Sequence, residues 1–407
     1  MTIRPITGLD VKGARLLVRA DLNVPMDAGK VTDATRIERF ADGMRPLLAQ
    51  GARLVILSHL GRPRGQVVAA LSLESLVAPL ADALGRPVAF SGASCGAQAV
   101  AQASALNDGE VLLCENVRFN GRETDNDPGL AAGYAALGEI YVNDAFSCAH
   151  RAHASTEAVA HLMPAFGGPL LMAEIEALTA ALSAPRRPSV AIVGGAKISS
   201  KINVLKHLVG QLDAIIIGGG MANTFLFAQG APMGKSLHEA DQVETVNEIR
   251  ALAAAADCRL LLPADVVCAR EFRRGAESFI IGAFDCPPDA MILDAGPVAL
   301  AEFQRELASA RTILWNGPLG AFEIEPFDAA TVALARSAAA LSARGQAVSV
   351  AGGGDTVAAL NKAGVAGDFS YVSAAGGAFL EWLEGRVLPG IAALERSAAH
   401  EMGDRDV

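Results

Sequence analysis

The feature that most constrains the fold of this chain is a regular alternation of short apolar runs with helix-like segments. The runs are continuous, which is typical of strands covered on both faces. Strands that alternate with helices at this spacing predict parallel sheets built of βαβ units. The predicted strands are Arg15–Ala20, Arg53–Ser58, Val111–Glu115, Ile140–Asn143, Ser189–Val193, Ala214–Gly218, Arg259–Pro263, Met291–Asp294, Thr312–Asn316 and Ala347–Ala351. Because so many strands do not fit comfortably in one open sheet, we expect two sheets.

A Gly-Gly-Pro break at Gly167–Pro169 predicts a boundary between two α/β halves. An apolar stripe at helical spacing follows it, and the run Pro185–Pro188 ends that helix before the next strand. A further break between Gly385 and Pro389 predicts a last short helix before a polar tail from His400. We therefore expect a first domain over 1–168, a connecting helix over 169–184, a second domain over 185–386 and a last helix over 387–400.

Composition excludes several classes of protein. The 407 residues are enough to bury large cores without disulfides or a structural metal. No apolar stretch approaches the roughly 18 residues that span a bilayer, and no apolar signal segment is visible, so we expect a cytoplasmic location and no membrane partner. A net charge of −10 disfavours non-specific nucleic-acid binding. The six cysteines show no C-x-x-C spacing, which favours reduced, mostly buried thiols.

Polar and cationic side chains follow the predicted strands of the first half. Ligands of open α/β sheets bind beyond the carboxyl ends of the strands, so these positions are candidate binding residues. Four arginines come from four such loops, and guanidinium groups bind phosphate and carboxylate in a bidentate manner. The first half therefore predicts an anion pocket. Its candidate residues are Asp21, Asn23, Arg36, His59, Arg62, Arg118, Asn143, Asp144, His150 and Arg151.

Glycine-rich turns follow the predicted strands of the second half. Glycine permits a positive φ and a close approach of the backbone, and the N-terminus of a following helix offers free N–H groups to phosphate. These turns also carry Lys197, Lys201, Asn316 and Asp355, which favours a nucleotide site. The five turns are Gly194–Lys197, Gly218–Gly220, Asp294–Pro297, Asn316–Pro318 and Gly352–Thr356.

Three other patterns resemble known binding motifs but lack features that those motifs require. Gly230–Ser236 resembles a phosphate-binding P-loop, but it is one residue short and follows Met221–Gln229, which is predicted as a helix rather than a strand. The glycine runs at Gly218 and Gly352 lack the third glycine of a dinucleotide-binding motif. His150 and His153 are three residues apart, but nothing around them predicts zinc ligation.

Taken together, the segments of this chain closely resemble phosphoglycerate kinases from Arg19 to about Gly390. Each motif is modestly specific alone, and their order and spacing make the resemblance specific. The motifs are RADLNVP (19–25), SHLGRP (58–63), ENVRF (115–119), VNDAFSCAHRAHAS (142–155), GGAKISSKI (194–202), IIGGGMANTF (216–225), WNGPLGAFE (315–323), GGGDT (352–356) and LEGRVLPG (383–390).

The resemblance implies two Rossmann-like parallel-sheet domains separated by a cleft and joined by the connecting helix, with the last helix returning to the first domain. It implies that phosphoglycerate binds the first domain through Asp21, Leu22, Asn23, Arg36, His59, Leu60, Gly61, Arg62, Arg118 and Arg151. It implies that ADP or ATP binds the second through Lys201, Asn316, Glu323, Gly353, Gly354, Asp355 and Thr356, with Asp355 holding the Mg²⁺ of the nucleotide.

The implied reaction is reversible phosphoryl transfer between 1,3-bisphosphoglycerate and ADP, giving 3-phosphoglycerate and ATP. We expect Arg36 and Lys197 to neutralise the transferred group when the cleft closes. The family is mostly monomeric, so we expect a monomer. The resemblance leaves open whether the enzyme serves glycolysis, gluconeogenesis or carbon fixation.

The sequence departs from the family pattern at Ser373–Ala378, where Ala374 and Ala375 replace the usual Thr-Gly. An alanine at Ala375 does not easily take a positive φ and would bring a methyl group close to phosphate. We expect either that this position tolerates a Cβ atom or that turnover is lowered.

Two other functions fit parts of the pattern. A nicotinamide-dependent dehydrogenase would suit the βα rhythm, but it predicts a complete G-x-G-x-x-G followed by an acidic residue about 20 positions later, and this is missing. A non-catalytic binding protein of the same shape would be expected to lose Arg36, Lys197 or Asp355, and all three are present.

Overall fold

The computed structural model describes the backbone of residues 3–403 and the side chains of residues 3–398. Two compact units are present. The first comprises the described residues up to Ile175 together with those from Val387 onward, and the second comprises Glu176–Arg386. The end of the polar tail predicted from His400, residues 404–407, lies outside the described residues.

Strands and helices alternate along most of the chain, as the apolar runs predict. The strands are β1 (Arg15–Ala20), β2 (Met26–Asp27), β3 (Lys30–Val31), β4 (Arg53–Leu57), β5 (Val88–Ser91), β6 (Val111–Cys114), β7 (Ile140–Asp144), β8 (Ala165–Gly167), β9 (Ser189–Val193), β10 (Ala214–Ile217), β11 (Arg259–Leu261), β12 (Asp265–Ala269), β13 (Ser278–Gly282), β14 (Met291–Ala295), β15 (Thr312–Asn316), β16 (Val348–Gly352) and β17 (Tyr371–Ser373).

Most of the helices connect strands in the βαβ manner, and α12 and α13 follow the last strand. They are α1 (Thr35–Ala49), α2 (Val77–Leu84), α3 (Ala97–Ser104), α4 (Pro128–Ala135), α5 (Pro169–Leu178), α6 (Ile202–Val209), α7 (Gly219–Ala228), α8 (Val243–Ala255), α9 (Pro297–Ser309), α10 (Ala329–Ala343), α11 (Gly354–Ala363), α12 (Gly376–Leu383) and α13 (Pro389–Gly403).

The first unit is built on a parallel six-stranded sheet with the order β5-β6-β4-β1-β7-β8. Val18 of β1 lies in register with Ile56 of β4 on one side and Val142 of β7 on the other. The chain thus leaves β1 in one direction and later returns to its opposite side. The carboxyl end of β1 is therefore a switch point of the kind where α/β sheets bind ligands.

The second unit repeats this plan with the order β11-β10-β9-β15-β16-β17, and β9 lies at the switch point between β10 and β15. A three-stranded antiparallel sheet, β13-β12-β14, is added to it. This corrects one expectation, because the predicted parallel strand Met291–Asp294 belongs to the antiparallel sheet. The expectation of two parallel sheets built of βαβ units is confirmed.

The central strands are buried because both sheet faces are covered by helices. In the first unit Ile37, Phe40 and Met44 of α1 pack in the same core as the β1 and β4 side chains. In the second, Phe303 of α9 packs in one core with Trp315 of β15. Spacings of three and four residues on the helices and continuous apolar runs on the strands explain this layering.

Asp144, at the end of β7, anchors the helix that runs across the boundary between the units. Its Oδ1 accepts hydrogen bonds from Leu170 N at 2.7 Å and Leu171 N at 3.2 Å, in the first turn of α5. A Cβ atom at Gly168 would clash with this carboxylate, so glycine is required there. The helix continues beyond α5 as a π-helical turn over Thr179–Ser183.

The last helix lies against the first unit. Gly390 N donates to Ala149 O at 2.9 Å. Ala165 N donates to Ser397 Oγ at 3.2 Å, which fixes α13 beside β8.

Candidate active site

The loop after β1 brings an aspartate and an arginine together at the carboxyl end of the first sheet. Asp21 Oδ2 accepts from Arg36 Nη1 at 2.5 Å and from Ser147 Oγ at 2.5 Å. Arg36 Nη1 also donates to Asn23 O at 3.3 Å. About a third of the Arg36 side chain remains exposed (34%), so its guanidinium group can reach a ligand while Asp21 orients it.

The loops after β1, β4 and β6 are tied to one another. Asn23 Oδ1 accepts from Gly61 N at 2.8 Å, and Arg118 Nη1 donates to Gly61 O at 2.8 Å. Leu22 N donates to Ser58 Oγ at 3.0 Å. Leu22 and Leu60 are buried and support the loops from below. The structure therefore brings Asp21, Asn23, Arg36, Gly61 and Arg118 together.

His59 is buried against an arginine that the sequence analysis did not include. Arg19 is 1% exposed, and its Nη2 lies 3.1 Å from His59 Nδ1. Its Nε donates to Ser155 Oγ at 2.9 Å, and its Nη1 donates to Ala20 O. The signal that could have identified Arg19 is a basic residue inside the continuous apolar run of β1, since a buried cation needs partners.

Two predicted residues lie at the surface, outside this hydrogen-bonded group. Arg62 and Arg151 are exposed. Arg151 Nε donates to His150 Nε2 at 3.0 Å. Asn143 is buried, and its Oδ1 accepts from Ala145 N at 3.1 Å, which is a turn contact.

The positive charge of this cluster comes from arginines and not from histidines. Burial, followed by the charges of Arg19 and Arg118, holds the pKa of His59 well below its usual value. Burial and the same two arginines lower the pKa of His153 to about 4. Both imidazoles are thus neutral at pH 7, and the cluster can offer an anion fixed guanidinium groups and uncharged donors.

In the second unit a buried lysine joins the loops after β9 and β15. Lys201 Nζ donates to Gly194 O at 2.7 Å and to Asn316 O at 2.9 Å. Burial lowers the pKa of Lys201 to about 8, an effect that the charge of Asp355 opposes. An ammonium group has three N–H donors, so one remains for a ligand.

The loops around Gly317 need glycine for close approach. Gly317 has φ +109°, and a Cβ atom there would clash with the Gly194 carbonyl. Gly317 N donates to Thr356 Oγ1 at 2.7 Å. Gly353, with φ +101°, precedes α11, whose first turn carries Asp355. The first backbone N–H groups of α11 have no acceptor within the helix, so they can bind phosphate.

Asn316 has an unused acceptor at this point. Its Nδ2 donates to Gly352 O at 2.7 Å, while its buried Oδ1 accepts no hydrogen bond from any described residue. A buried acceptor without a donor is rare in a native structure and indicates a missing partner. Asn316, Lys201, Gly353 and Thr356 are thus brought together, as the glycine turns predict. Lys197 is exposed at the edge of the same group, and Gly354 and Asp355 are exposed at the start of α11.

A cavity of about 440 Å³ lies beside these loops, within the size range of small-molecule sites. Its walls are largely apolar, which suits a flat aromatic base. Glu323 lines it and is exposed, so it can reach hydroxyl groups of a ligand. The residues that line the cavity include Gly195, Gly219, Asn223, Lys235, Phe272, Leu293, Pro318, Glu323 and Asp355.

One of the five glycine turns has a structural function. Asp294 lies in β14 of the antiparallel sheet, and its Oδ2 accepts from Ala330 N at 2.9 Å, in the first turn of α10. Burial raises its pKa to about 8. The turn at Asp294–Pro297 therefore positions α10 and does not end a strand of the parallel sheet, while Asp294 and Ala295 also line the cavity.

Ala375 is unstrained. It caps α12 with φ −95° and ψ 28°, so no positive φ is required. Its N–H donates to Ser373 Oγ at 3.1 Å, and it is 6% exposed. Alanine is therefore compatible with the backbone at this position, and the effect of its methyl group on turnover stays a prediction.

The segment Gly230–Ser236 is a loop after α7 and not a strand-to-helix turn, which agrees with its exclusion as a P-loop. Among the described residues, no helix combines the length and apolar character that a membrane span requires.

Comparison with known proteins gives one consistent family. A family model described as phosphoglycerate kinase matches residues 6–386. A phosphoglycerate kinase of Cereibacter sphaeroides is 56% identical over 392 residues, covering 96% of this chain and 99% of the relative. One of Methylobacterium radiotolerans is 57% identical over 385 residues, covering 94% and 96%. The structure of phosphoglycerate kinase from Coxiella burnetii superposes with a TM-score of 0.90 at 42% identity, covering 97% and 99%.

Proposed function

Because this chain belongs to the phosphoglycerate kinase family, it catalyses phosphoryl transfer between 1,3-bisphosphoglycerate and ADP, and we propose that its two loop clusters divide the substrates between them. The observation that carries the proposal is the contrast between the clusters. The first brings together guanidinium groups and neutral imidazoles. The second combines an apolar cavity with glycine loops, a buried lysine and a helix N-terminus.

The first cluster is the phosphoglycerate site in this proposal. Phosphoglycerate carries a carboxylate and a phosphate, and both match the planar donors of arginine. Arg36 and Arg118 are held by the loop contacts described above, whereas Arg62 and Arg151 are exposed and available to a ligand. His59, neutral at pH 7, would donate or accept a hydrogen bond without adding charge.

The second cluster is the nucleotide site. The base would occupy the apolar cavity and the ribose hydroxyls would reach Glu323, while the phosphates would meet Lys201 and the N-terminus of α11. Gly353, Gly354 and Thr356 would supply backbone N–H groups, and the unused Asn316 Oδ1 would face this ligand or its water.

The residues at this end of the sheet suit Mg²⁺, which prefers carboxylate and other oxygen ligands. Asp355 is an exposed carboxylate beside the proposed phosphate site, and Asn316 provides a buried oxygen without a donor. When bound, Mg²⁺ would neutralise charge on the nucleotide phosphates, and Asp355 would hold it.

No residue is needed as a general base. In the direction of ATP consumption the nucleophile is a carboxylate, whose reference pKa of about 3.5 leaves it ionised at neutral pH. The protein must therefore position the reactants and stabilise the charge of the transferred group. We assign this role to the Arg36 guanidinium and the Lys197 ammonium, since both side chains are accessible to a ligand.

Direct transfer requires the acceptor carboxylate and the phosphoryl donor to meet. Since the two proposed sites belong to different units, we propose that turnover includes a hinge closure that also excludes water from the acyl phosphate.

We further propose that the enzyme acts as a cytoplasmic monomer. The support is the family resemblance and the six free cysteines, a state typical of reducing compartments. Light scattering during size-exclusion chromatography should give the mass of one chain, 41.9 kDa. A stable dimer mass would contradict the monomer.

The division of substrates is tested by Arg36→Ala. Turnover should fall severely while the dissociation constant for ADP stays unchanged, because Arg36 does not belong to the unit that carries the proposed nucleotide site. Arg45→Ala is the matched control, since Arg45 lies on the same helix with an exposed ion pair to Asp42. Steady-state kinetics and ADP calorimetry give both quantities. An intact kcat with a weakened ADP affinity would remove Arg36 from this role.

A further inference from the structure

Three polar side chains form a buried chain of hydrogen bonds that ends at an imidazole of the first cluster. Glu123 Oε1 accepts from Ser155 Oγ at 2.5 Å, and Ser155 Oγ accepts in turn from Arg19 Nε at 2.9 Å. Arg19 Nη2 lies 3.1 Å from His59 Nδ1. Glu123 and Ser155 are completely buried, and Arg19 is 1% exposed. The segment after β6 is therefore connected to His59 by contacts that solvent does not interrupt.

The contact with Arg19 fixes which nitrogen of His59 carries a proton. A guanidinium group stays protonated and has N–H donors only, so His59 Nδ1 must accept. Cys148 Sγ lies 3.9 Å from the same nitrogen, and burial raises the pKa of this thiol, so it too is protonated at pH 7. Burial and the charges of the arginines keep the imidazole neutral. A neutral imidazole whose Nδ1 accepts has its one proton on Nε2.

The same contacts fix the orientation of the ring. In a flipped ring a C–H group would face Arg19, and Arg19 Nη2 would keep only the weak sulfur acceptor of Cys148, at 3.7 Å. A buried charged donor without a good acceptor is costly, so the flipped ring is disfavoured. The carboxylate of Asp21 lies within 4.8 Å of one ring nitrogen, but its Oδ2 already accepts from Arg36 and Ser147.

The second nitrogen of the ring, Nε2, is available to a ligand. Among the described residues, none forms a hydrogen bond with it. It is also not shielded from solvent, as a buried atom without a partner would be, although His59 as a whole is only 5% exposed. An N–H group at this point can donate to an anionic oxygen, whereas the other tautomer would present a lone pair to it. The tautomer of His59 thus decides whether the ring can bind an anion.

We propose that Arg19 holds His59 as the Nε2–H tautomer, which donates a hydrogen bond to an anionic oxygen of phosphoglycerate, and that Glu123 and Ser155 hold Arg19 in place. Arg19, Glu123 and Ser155 are then positioning residues, since their burial keeps them from touching the substrate. The tautomer rests only on the contacts described above. Donation to phosphoglycerate rests on the proposed substrate site.

Nitrogen NMR of the isotope-labelled full-length protein without ligands tests the tautomer. Long-range proton–nitrogen correlations show which nitrogen of an imidazole is protonated, and the signals of His59 are those that disappear in His59→Gln. At pH 7 the wild type should have a protonated Nε2 and an unprotonated Nδ1. A protonated Nδ1 in the wild type would overturn the proposal.

Removing both buried charges tests the role of Arg19. Arg19→Met combined with Glu123→Gln leaves neither charge buried alone. His59 Nδ1 then loses its donor, so a measurable share of the molecules should carry a proton on Nδ1. Arg15→Met combined with Glu139→Gln is the matched control, because Arg15 begins the same strand and its ion pair with Glu139 is partly exposed. An Nδ1 that stays as unprotonated as in the wild type and the control would overturn the role of Arg19.

Arg19→Lys gives a second measurement that does not depend on the folding of the double variant. An ammonium group is also a donor only, so Nδ1 should remain unprotonated at pH 7. A protonated Nδ1 in Arg19→Lys would contradict the control of the tautomer by a cationic donor at this position.

Substrate affinity tests the donation to phosphoglycerate. The amide nitrogen of glutamine can take the place of Nε2, whereas that of asparagine reaches only the place of Nδ1. His59→Asn should raise the KM for 3-phosphoglycerate about tenfold, as expected for the loss of a hydrogen bond to a charged group, and His59→Gln should stay within about threefold. Because the contact is made in the ground state as well, kcat should change less than KM.

The two parts of the proposal fail in different ways. An equal rise of KM in His59→Asn and His59→Gln would overturn donation through Nε2. A KM at the wild-type value in both variants, with the Nε2–H tautomer present in the wild type, would remove His59 from the proposed substrate site and leave the role of Arg19 to the NMR result.

Discussion

Replacing Lys201 by methionine tests whether the loops of the second unit are organised around a buried ammonium group. The folded protein lowers the pKa of Lys201 from 10.5 to about 8 by burial, which corresponds to about 3 kcal/mol against the charged form. Methionine has a similar length and removes this cost. It also leaves the Gly194 carbonyl without this donor, at about 1–3 kcal/mol, whereas the Asn316 carbonyl keeps its hydrogen bond from Gly194 N. The two effects nearly cancel, so the free energy of unfolding at pH 7 should change little.

The pH dependence of the stability difference between wild type and Lys201→Met distinguishes the cost of burying a charged lysine from a loss of contacts alone. Because the folded-state pKa is below the unfolded value, the cost of Lys201 is fully present below pH 8 and disappears as pH rises towards 10.5. Wild type should therefore gain about 2 kcal/mol relative to Lys201→Met between pH 7.5 and pH 9.5. At the same time the variant should bind ADP more weakly, since the proposed phosphate contact is gone.

The chain offers a convenient probe for this measurement. Its two tryptophans, Trp315 and Trp382, both lie in the second unit, so tryptophan fluorescence during urea denaturation reports that unit. Lys206→Met, in the helix that Lys201 precedes, is the matched control, because the ion pair of Lys206 with Glu248 is partly exposed and contributes little. A difference between wild type and Lys201→Met that stays constant from pH 7.5 to pH 9.5 would refute the buried-ammonium reasoning.

Variants at three further positions probe other parts of the molecule. Ala375→Gly should leave kcat unchanged within about twofold and lower the free energy of unfolding by about 0.5–1 kcal/mol, because Ala375 has φ −95°; a large rise in kcat would contradict this. Gly317→Ala should cost about 1–3 kcal/mol and weaken ADP binding, since its φ is +109° and a Cβ atom would strike Gly194 O; denaturation and calorimetry at wild-type values would disprove the need for glycine. Asp144→Asn keeps the hydrogen-bond acceptor for α5 and removes a carboxyl group whose pKa is raised by burial to about 7. In scanning calorimetry, the stability of Asp144→Asn relative to wild type should therefore increase from pH 5 to pH 8. Asp144→Ala should lose about 1 kcal/mol of helix capping. A decrease in the relative stability of Asp144→Asn from pH 5 to pH 8 would contradict the raised pKa of Asp144.

The sequence predicted the parallel strands well because both of their faces are buried. Thr312–Asn316 and Ser189–Val193 have the predicted bounds, and most other predicted strands differ by one or two residues. Short strands at sheet edges were missed, because an edge such as Tyr371–Ser373 is only half-buried and carries a weak apolar signal. The antiparallel sheet was missed for a different reason. A strand such as Met291–Ala295 shows the same apolar run whether its neighbours are parallel or antiparallel.

The charged candidates of the site were visible in the sequence because they follow strands whose carboxyl ends converge. Their mutual geometry was not visible. That Arg19 is buried against His59, or that Asn316 keeps one acceptor free, depends on long-range packing. The backbone angles of Ala375 depend on the helix it caps, which a comparison of residue types cannot supply.

The most direct test of the central claim is ATP-dependent phosphorylation of 3-phosphoglycerate, coupled to NADH oxidation through glyceraldehyde-3-phosphate dehydrogenase, with Mg²⁺ and with EDTA. Family membership predicts strong activity with 3-phosphoglycerate, and the proposed role of Asp355 predicts its loss with EDTA and its return when Mg²⁺ is restored. A folded protein that binds ADP and phosphorylates no 3-phosphoglycerate would contradict the account.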